Sequence, residues 1–189
     1  MKVGLFFGSF NPIHVGHLII ASHFASQTDL QQVWFVVSPQ NPFKKKETLL
    51  NEYDRLHLVE LATKDNSKFR TSNIEFSLPK PSYTIDTLAH LQEKFPQYQF
   101  VLIMGSDNID SLPKWKNYEV LLNNYEVYCY QRGGEATPSF SHKNIHIFSF
   151  PQMDISSTYI RKCVKEGHNI AYLVPKEVAN YIEEMHLYK

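Results

Sequence analysis

The sequence predicts an α/β protein in which a doubly wound parallel sheet is built by a single domain spanning residues 1–189. Three observations predict it. Short apolar runs rich in β-branched and aromatic residues alternate with segments of helical periodicity, as βαβ units require. Two of these runs, Val3 to Phe7 and Gln99 to Met104, lead straight into a glycine, Gly8 and Gly105, with a helical segment beyond. Hydrophobic residues at 43% and charged residues at 20% describe an ordinary globular chain long enough to bury a large core.

The first strand, Val3 to Phe7, reads as fully buried, and the helix after it begins near His14 with Leu18, Ile19, Ile20, Ala21, Phe24 and Ala25 on its apolar face. Gln32 to Ser38 is the second strand, and a right-handed crossover joins the two. Pro39 to Lys46 is a loop with two prolines and three lysines. Asn51 to Thr63 is a helix with Leu56, Val59, Leu61 and Ala62 inward, capped by Asn51 or Thr48. Arg55 lies near its start, where a surface role is one reading. Phe69 to Phe76 is a third strand, ended by the prolines around Lys80, and a helix opens at Ser82 or Thr84 with Asp86 in its first turn. The fourth strand, Gln99 to Met104, passes into an irregular helical stretch interrupted at Pro113. Glu126 to Tyr130 and Ile145 to Phe148 are the remaining strands, with an exposed loop, Glu135 to Lys143, between them. Ile160, Cys163 and Val164 mark a helix whose start is signalled by Ser156 and its neighbours, and Val174-Pro175 opens a closing helix from Lys176 to about His186.

Lys+Arg and Asp+Glu are both 19, so net charge makes no case for nucleic acid or a membrane surface as a bulk partner. Any anion site is local. Cys129 and Cys163 are too few and too far apart for a zinc pattern, and with no signal peptide or spanning apolar run they point to a reducing cytoplasm. A redox dehydrogenase lacks its Gly-x-Gly-x-x-Gly fingerprint here.

Three stretches carry chemistry. Gly8-Ser9-Phe10-Asn11-Pro12-Ile13-His14-Val15-Gly16-His17 joins a strand to a helix, where backbone N–H groups and a helix start cradle an anion. His14 and His17, three apart, face the same way and can serve one ligand group. Two surface histidines that merely begin a helix are the plainer reading. Ile155-Ser156-Ser157-Thr158-Tyr159-Ile160-Arg161 places hydroxyls and N–H groups at a second helix start with Arg161 on the same face. A simple cap is its plainer reading. Between them, Pro81-Ser82-Tyr83-Thr84-Ile85-Asp86-Thr87-Leu88 and Trp115-Lys116 are distinctive, with Trp115 either a core residue or a stacking platform. Asp107, just past Gly105, and Arg132, at the end of the fifth strand, stand at strand ends where ribose or phosphate binds.

The stretches Gly8 to His17 and Ile155 to Arg161 resemble the signatures of the nucleotidyltransferase superfamily, His-x-Gly-His and Ile-Ser-Ser-Thr-x-Ile-Arg, and the resemblance covers nearly the whole chain. Ser-Tyr-Thr-x-Asp-Thr-Leu and Trp115 are similar to the acceptor site of the bacterial nicotinate-nucleotide adenylyltransferases. The resemblance implies a Rossmann-like sheet and transfer of AMP from ATP to nicotinate mononucleotide, with release of pyrophosphate. It implies that His14, His17, Lys44 and Arg161 are catalytic. It places ATP on Gly8, Ser9, Phe10, Gly105, Asp107, Arg132, Ile155, Ser156, Ser157 and Thr158, and the acceptor on Tyr83, Thr84, Trp115 and Lys116. Mg²⁺ is implied as a cofactor held mainly by ATP, so no metal-ligand cluster is expected in the chain. No nucleic acid or membrane partner is implied, and a homo-oligomer is left open. The family often reads Pro-Pro-His-Lys where this chain has Asn41-Pro42-Phe43-Lys44, and Arg-Pro-Gly where it has Arg132-Gly133. A phosphopantetheine or nicotinamide-mononucleotide adenylyltransferase, or a nucleotide-binding module without chemistry, remains as an alternative.

Overall fold

A computed structural model describes residues 1–39, 49–131, 138–149 and 153–189. Six strands form one parallel sheet: β1 (Lys2–Gly8), β2 (Gln32–Val37), β3 (Phe69–Ser72), β4 (Gln99–Gly105), β5 (Glu126–Tyr130) and β6 (Ile145–Phe148). Their spatial order is β3-β2-β1-β4-β5-β6, every pairing parallel. The chain winds outward from β1 to β3, returns to β4 beside β1, and winds the other way. Strand order therefore reverses between β1 and β4, which opens a crevice at their carboxyl ends.

Alternation along the strands divides the core into two layers. Phe6, Val33, Phe35, Val37, Val101, Ile103, Tyr128 and Tyr130 face one way, onto α1 (Val15–Gln27), α2 (Glu52–Thr63), α6 (Ser157–Lys165) and α7 (Lys176–Glu184). Val3, Leu5, Trp34, Val36, Phe100, Leu102, Met104, Val127 and Cys129 face the other, onto α3 (Thr84–Lys94), α4 (Ser106–Ile109) and α5 (Tyr118–Asn124). Because side chains of successive strand residues point to opposite faces, a run that is apolar at every position belongs between two helical layers.

Three elements differ from the sequence reading, the first being α1, where Ile19 of the expected apolar face is exposed. The third strand stops at Ser72, and Ile74–Ser77 is a 3₁₀ turn. Ser72 Oγ accepts from the Ile74 N–H at 3.4 Å and Ser77 Oγ donates to the Ile74 carbonyl at 3.1 Å, so local hydroxyls displace the sheet ladder. In α2 the fully inward residues are Arg55, Leu58, Val59 and Thr63, while Leu56, Leu61 and Ala62 are half-buried. Asn51 caps that helix as expected, its side chain accepting from the Tyr53 N–H at 2.9 Å.

Candidate active site

The histidine stretch leaves β1 and folds back under the strand end. Phe10 adopts a left-handed backbone (φ 45°), and its ring occupies the space beside Gly8; a Cβ on Gly8 would stand 2.8 Å from that ring. The Phe10 ring meets Phe6 and His17 edge-on, at 5.8 and 5.1 Å. His14 is the cap residue of α1 in extended conformation, and its N–H donates to His17 Nδ1 at 3.3 Å. The two imidazoles stack at 3.7 Å with a 28° tilt, so the three-residue spacing does place both on one face. Gly16 is where this stretch touches the other motif. A Cβ there would lie 2.7 Å from Ile155 Cγ2 and 3.0 Å from His14 Nδ1.

The Ile155–Arg161 stretch closes on the first. Ser156 caps α6, its Oγ accepting from the Tyr159 N–H at 3.2 Å. Ser157 Oγ donates to the Pro12 carbonyl at 2.8 Å, and Arg161 Nη1 donates to the Asn11 carbonyl at 2.8 Å. Arg161 Nη2 donates to Thr158 Oγ1 at 3.3 Å. Two segments 145 positions apart thus form one hydrogen-bonded unit beside the stacked histidines.

Across the switch point lies a cavity of about 430 Å³. Gly8, Ser9 and Gly105 line it from the ends of β1 and β4, and Tyr83, Thr84, Trp115 and Lys116 from the loops beyond. Tyr83 caps α3, and the N–H groups of Asp86 and Thr87 both bond its carbonyl, at 3.0 and 3.1 Å. Trp115 is half-buried, and its N–H donates to the Leu112 carbonyl at 2.9 Å. Lys116 Nζ pairs with Asp86 at 2.8 Å and stands 4.8 Å over the Tyr83 ring. Ser9 Oγ is buried and makes no hydrogen bond among the described residues. Asp107 is exposed, accepts from Asn108 Nδ2 at 3.0 Å, and folds back over Gly105. Lys44 and Arg132 lie outside the described residues.

Two further charged residues shape the site: Arg55, for which a surface role is one reading of the sequence, and Glu75, which the sequence reading does not single out. Glu75, only 3% exposed, lines the cavity; Thr87 Oγ1 donates to its carboxylate at 2.8 Å, and Ser38 and Ser82 bond it as well. Burial pushes this carboxyl above the usual range against the opposing effect of the three hydroxyls. Arg55 is 0% exposed and donates to four carbonyls, of Leu50, Ser9, Ser38 and Pro39, at 3.0, 2.7, 2.8 and 3.0 Å. It ties the end of β1 to the end of β2, which settles its placement inside and not at the surface. A polar residue in an inward helical slot is the one signal the sequence held for Arg55; Glu75 had none. Among the described residues, no three His, Cys, Asp or Glu side chains gather as a metal cage.

The cytidylyltransferase-like family model matches residues 5–163. A probable nicotinate-nucleotide adenylyltransferase of Flavobacterium psychrophilum is 56% identical, the alignment covering 100% of both chains. The protein of the same description from Cytophaga hutchinsonii is 56% identical over 96% of this chain and 95% of its own. Among solved structures, the Plasmodium falciparum nicotinic acid mononucleotide adenylyltransferase complexed with NaAD superposes with a TM-score of 0.82 over 99% of this chain and 97% of its own. Its sequence is 20% identical, so that likeness concerns the fold.

Proposed function

Because the chain belongs to the nicotinate-nucleotide adenylyltransferase family of cytidylyltransferase-like proteins, we propose that the switch-point cavity receives nicotinate mononucleotide and that the two motifs beside it hold ATP. The enzyme transfers AMP from ATP to nicotinate mononucleotide, forming nicotinate adenine dinucleotide and pyrophosphate. One observation carries the assignment of the acceptor: the adjacent Tyr83 and Thr84 and the distant Trp115 line a single cavity that opens onto Gly8 and Ser9 of the histidine motif.

In this reading an oxygen of the acceptor's 5′-phosphate attacks the α-phosphorus of ATP, and the bond from that phosphorus to the bridging oxygen breaks in line. The acceptor is already an anion, so no serine or cysteine nucleophile is required. Catalysis rests on positioning and on stabilising charge. His14 and His17, stacked on one face, donate to α-phosphate oxygens. Arg161 and Lys44 draw charge from the leaving pyrophosphate, Arg161 from a guanidinium that also bonds Asn11 and Thr158. The hydroxyl of Ser9, the start of α6 from Ile155 to Thr158, Gly105, Asp107, Phe10 and Arg132 complete the ATP side. On the acceptor side the Trp115 ring stacks on the pyridine ring, and the start of α3 at Thr84 faces its carboxylate. A magnesium ion would arrive on the triphosphate, since Mg²⁺ keeps its waters and needs few protein carboxylates. When bound there it offsets negative charge on the β- and γ-phosphates. We place the reaction in the cytoplasm, where the buried thiols of Cys129 and Cys163 stay reduced.

The test is pyrophosphate release with Mg²⁺-ATP and, separately, nicotinate mononucleotide, nicotinamide mononucleotide and phosphopantetheine. A strong preference for the nicotinate form is expected. Equal use of the two pyridine mononucleotides would remove the carboxylate contact at Thr84, and release only with phosphopantetheine would overturn the acceptor assignment.

A further inference from the structure

Asn11 lies midway between Gly8 and His14, and it is the point at which remote segments converge on the catalytic loop. Its side chain is buried. Its Oδ1 accepts from the Leu50 N–H at 3.2 Å and from the Tyr188 hydroxyl at 3.1 Å, while its carbonyl accepts from Arg161. A backbone N–H can only donate, so the atom facing Leu50 is the oxygen, and the Tyr188 hydroxyl must donate to it too. Burial pushes the Tyr188 phenol well above its ordinary value despite the guanidinium groups of Arg161 and Arg55 nearby, with Asp54 adding to the rise. The phenol therefore keeps the proton that this bond uses.

The chain reaches this position through an uncommon backbone. His186 and Tyr188 both have positive φ, 52° and 65°, a region where bulky residues persist only when their surroundings impose it. Leu187 and Tyr188 pack on the same core layer as α1 and α7. The conformation delivers one hydroxyl to one acceptor, three residues before His14.

We propose that Tyr188 is a positioning residue for adenylyl transfer, its hydroxyl holding Asn11 and through it the segment that carries His14 and His17. This rests on the reading that those histidines bind the α-phosphate. A bond of this kind acts on the transition state and not on the acceptor cavity, whose walls Tyr188 does not touch. Removing it lets the histidine segment drift, and misplacement of reacting groups by a fraction of an ångström is costly to turnover.

The experiment compares Tyr188→Phe with Tyr128→Phe. Tyr128 also loses a hydroxyl bonded to two partners, Asp29 and Lys2, at the opposite ends of the strands. Tyr188→Phe is expected to lower kcat about tenfold with both KM values within about twofold, whereas Tyr128→Phe lowers stability and leaves kcat unchanged. In a His17→Ala background the Tyr188→Phe effect should shrink to less than about twofold, because the group it positions is gone. An undiminished loss in that background, or a folded Tyr188→Phe enzyme with normal kcat, overturns the proposal while leaving the histidine reading intact. A His17→Ala enzyme with normal turnover overturns the histidine reading, and the proposal with it. If Tyr188→Phe proves too unstable to assay, Asn11→Ala removes the same bond from the acceptor side and is judged by the same criteria.

Discussion

Replacing Arg55 by lysine asks whether a planar fork of donors, and not a positive charge alone, holds the strand ends together. The guanidinium has no exposed surface, and it reaches Leu50 through Nε, Ser9 and Ser38 through Nη1, and Pro39 through Nη2. Lysine keeps the charge but gathers its donors on one nitrogen at the end of a flexible stem. From one point it serves the carbonyls on one side of the fork, so two of the four bonds are lost. Hydrogen bonds to charged groups contribute about 1.5–3 kcal/mol each, which sets the loss at about 3–6 kcal/mol. In a chain of this size each kcal/mol moves the midpoint by about 2–4 °C, so Arg55→Lys should melt about 6–24 °C lower. Circular dichroism on heating, with urea unfolding to check that the m-value holds, measures it. Methionine supplies the second arm. It loses all four bonds but is spared the burial of a cation, the very cost that holds the Arg55 pKa down. A larger fall for Arg55→Met than for Arg55→Lys means the bonds outweigh desolvation. A midpoint within about 2 °C of wild type for Arg55→Lys would refute the fork argument.

Three further outcomes follow from the geometry. Trp115→Ala should raise KM for nicotinate mononucleotide by about 5- to 150-fold, corresponding to a lost stacking interaction of about 1–3 kcal/mol, with KM for ATP nearly unchanged; steady-state kinetics with each substrate varied decides it. Gly16→Ala should cut turnover severely in a protein that still folds, because its new methyl meets both Ile155 and His14, and wild-type kinetics would show that the two motifs tolerate being pushed apart. Glu75→Gln addresses pH. The Glu75 carboxyl is raised in the folded state by burial, so its contribution to stability is full below the ordinary carboxylate pKa and is lost as pH rises through the folded value. The glutamine variant lacks that titration, so its melting temperature relative to wild type should climb as pH rises from the ordinary carboxylate pKa through the raised folded value and then level off; a flat difference throughout contradicts the assignment.

Local pattern alone accounts for several elements of this fold and site. Strands β5 and β6 fall where the apolar runs predict, Ser156 and Asn51 cap their helices through side-chain oxygens, and the spacing of His14 and His17 puts their rings in contact. Each of these is settled within a few residues by side-chain alternation, capping chemistry or helical geometry. The two motifs were legible as chemistry for the same reason, each being a short segment whose donors share one face.

Which of those segments touch, and which polar groups are taken inside, depends on contacts between remote parts of the chain. Only its inward helical slot hints locally that Arg55 is buried, because its four acceptors come from three different segments, one of them 46 positions away. Asn11 looks like a turn residue until Tyr188, 177 positions on, bonds its side chain and Arg161, 150 positions on, bonds its backbone. Trp115 reads equally well as core or as a stacking surface, and in the fold it packs partly against the core while also lining the cavity. Glu75 passes for a strand residue until the hydroxyls of Thr87, Ser38 and Ser82 close around it. Hydrophobic periodicity reports which face of an element is buried, and it carries no information about the partner that face will meet. Polar groups inside a core are stable only when that partner supplies the complementary donor or acceptor, so their placement is fixed by the assembled sheet and helices.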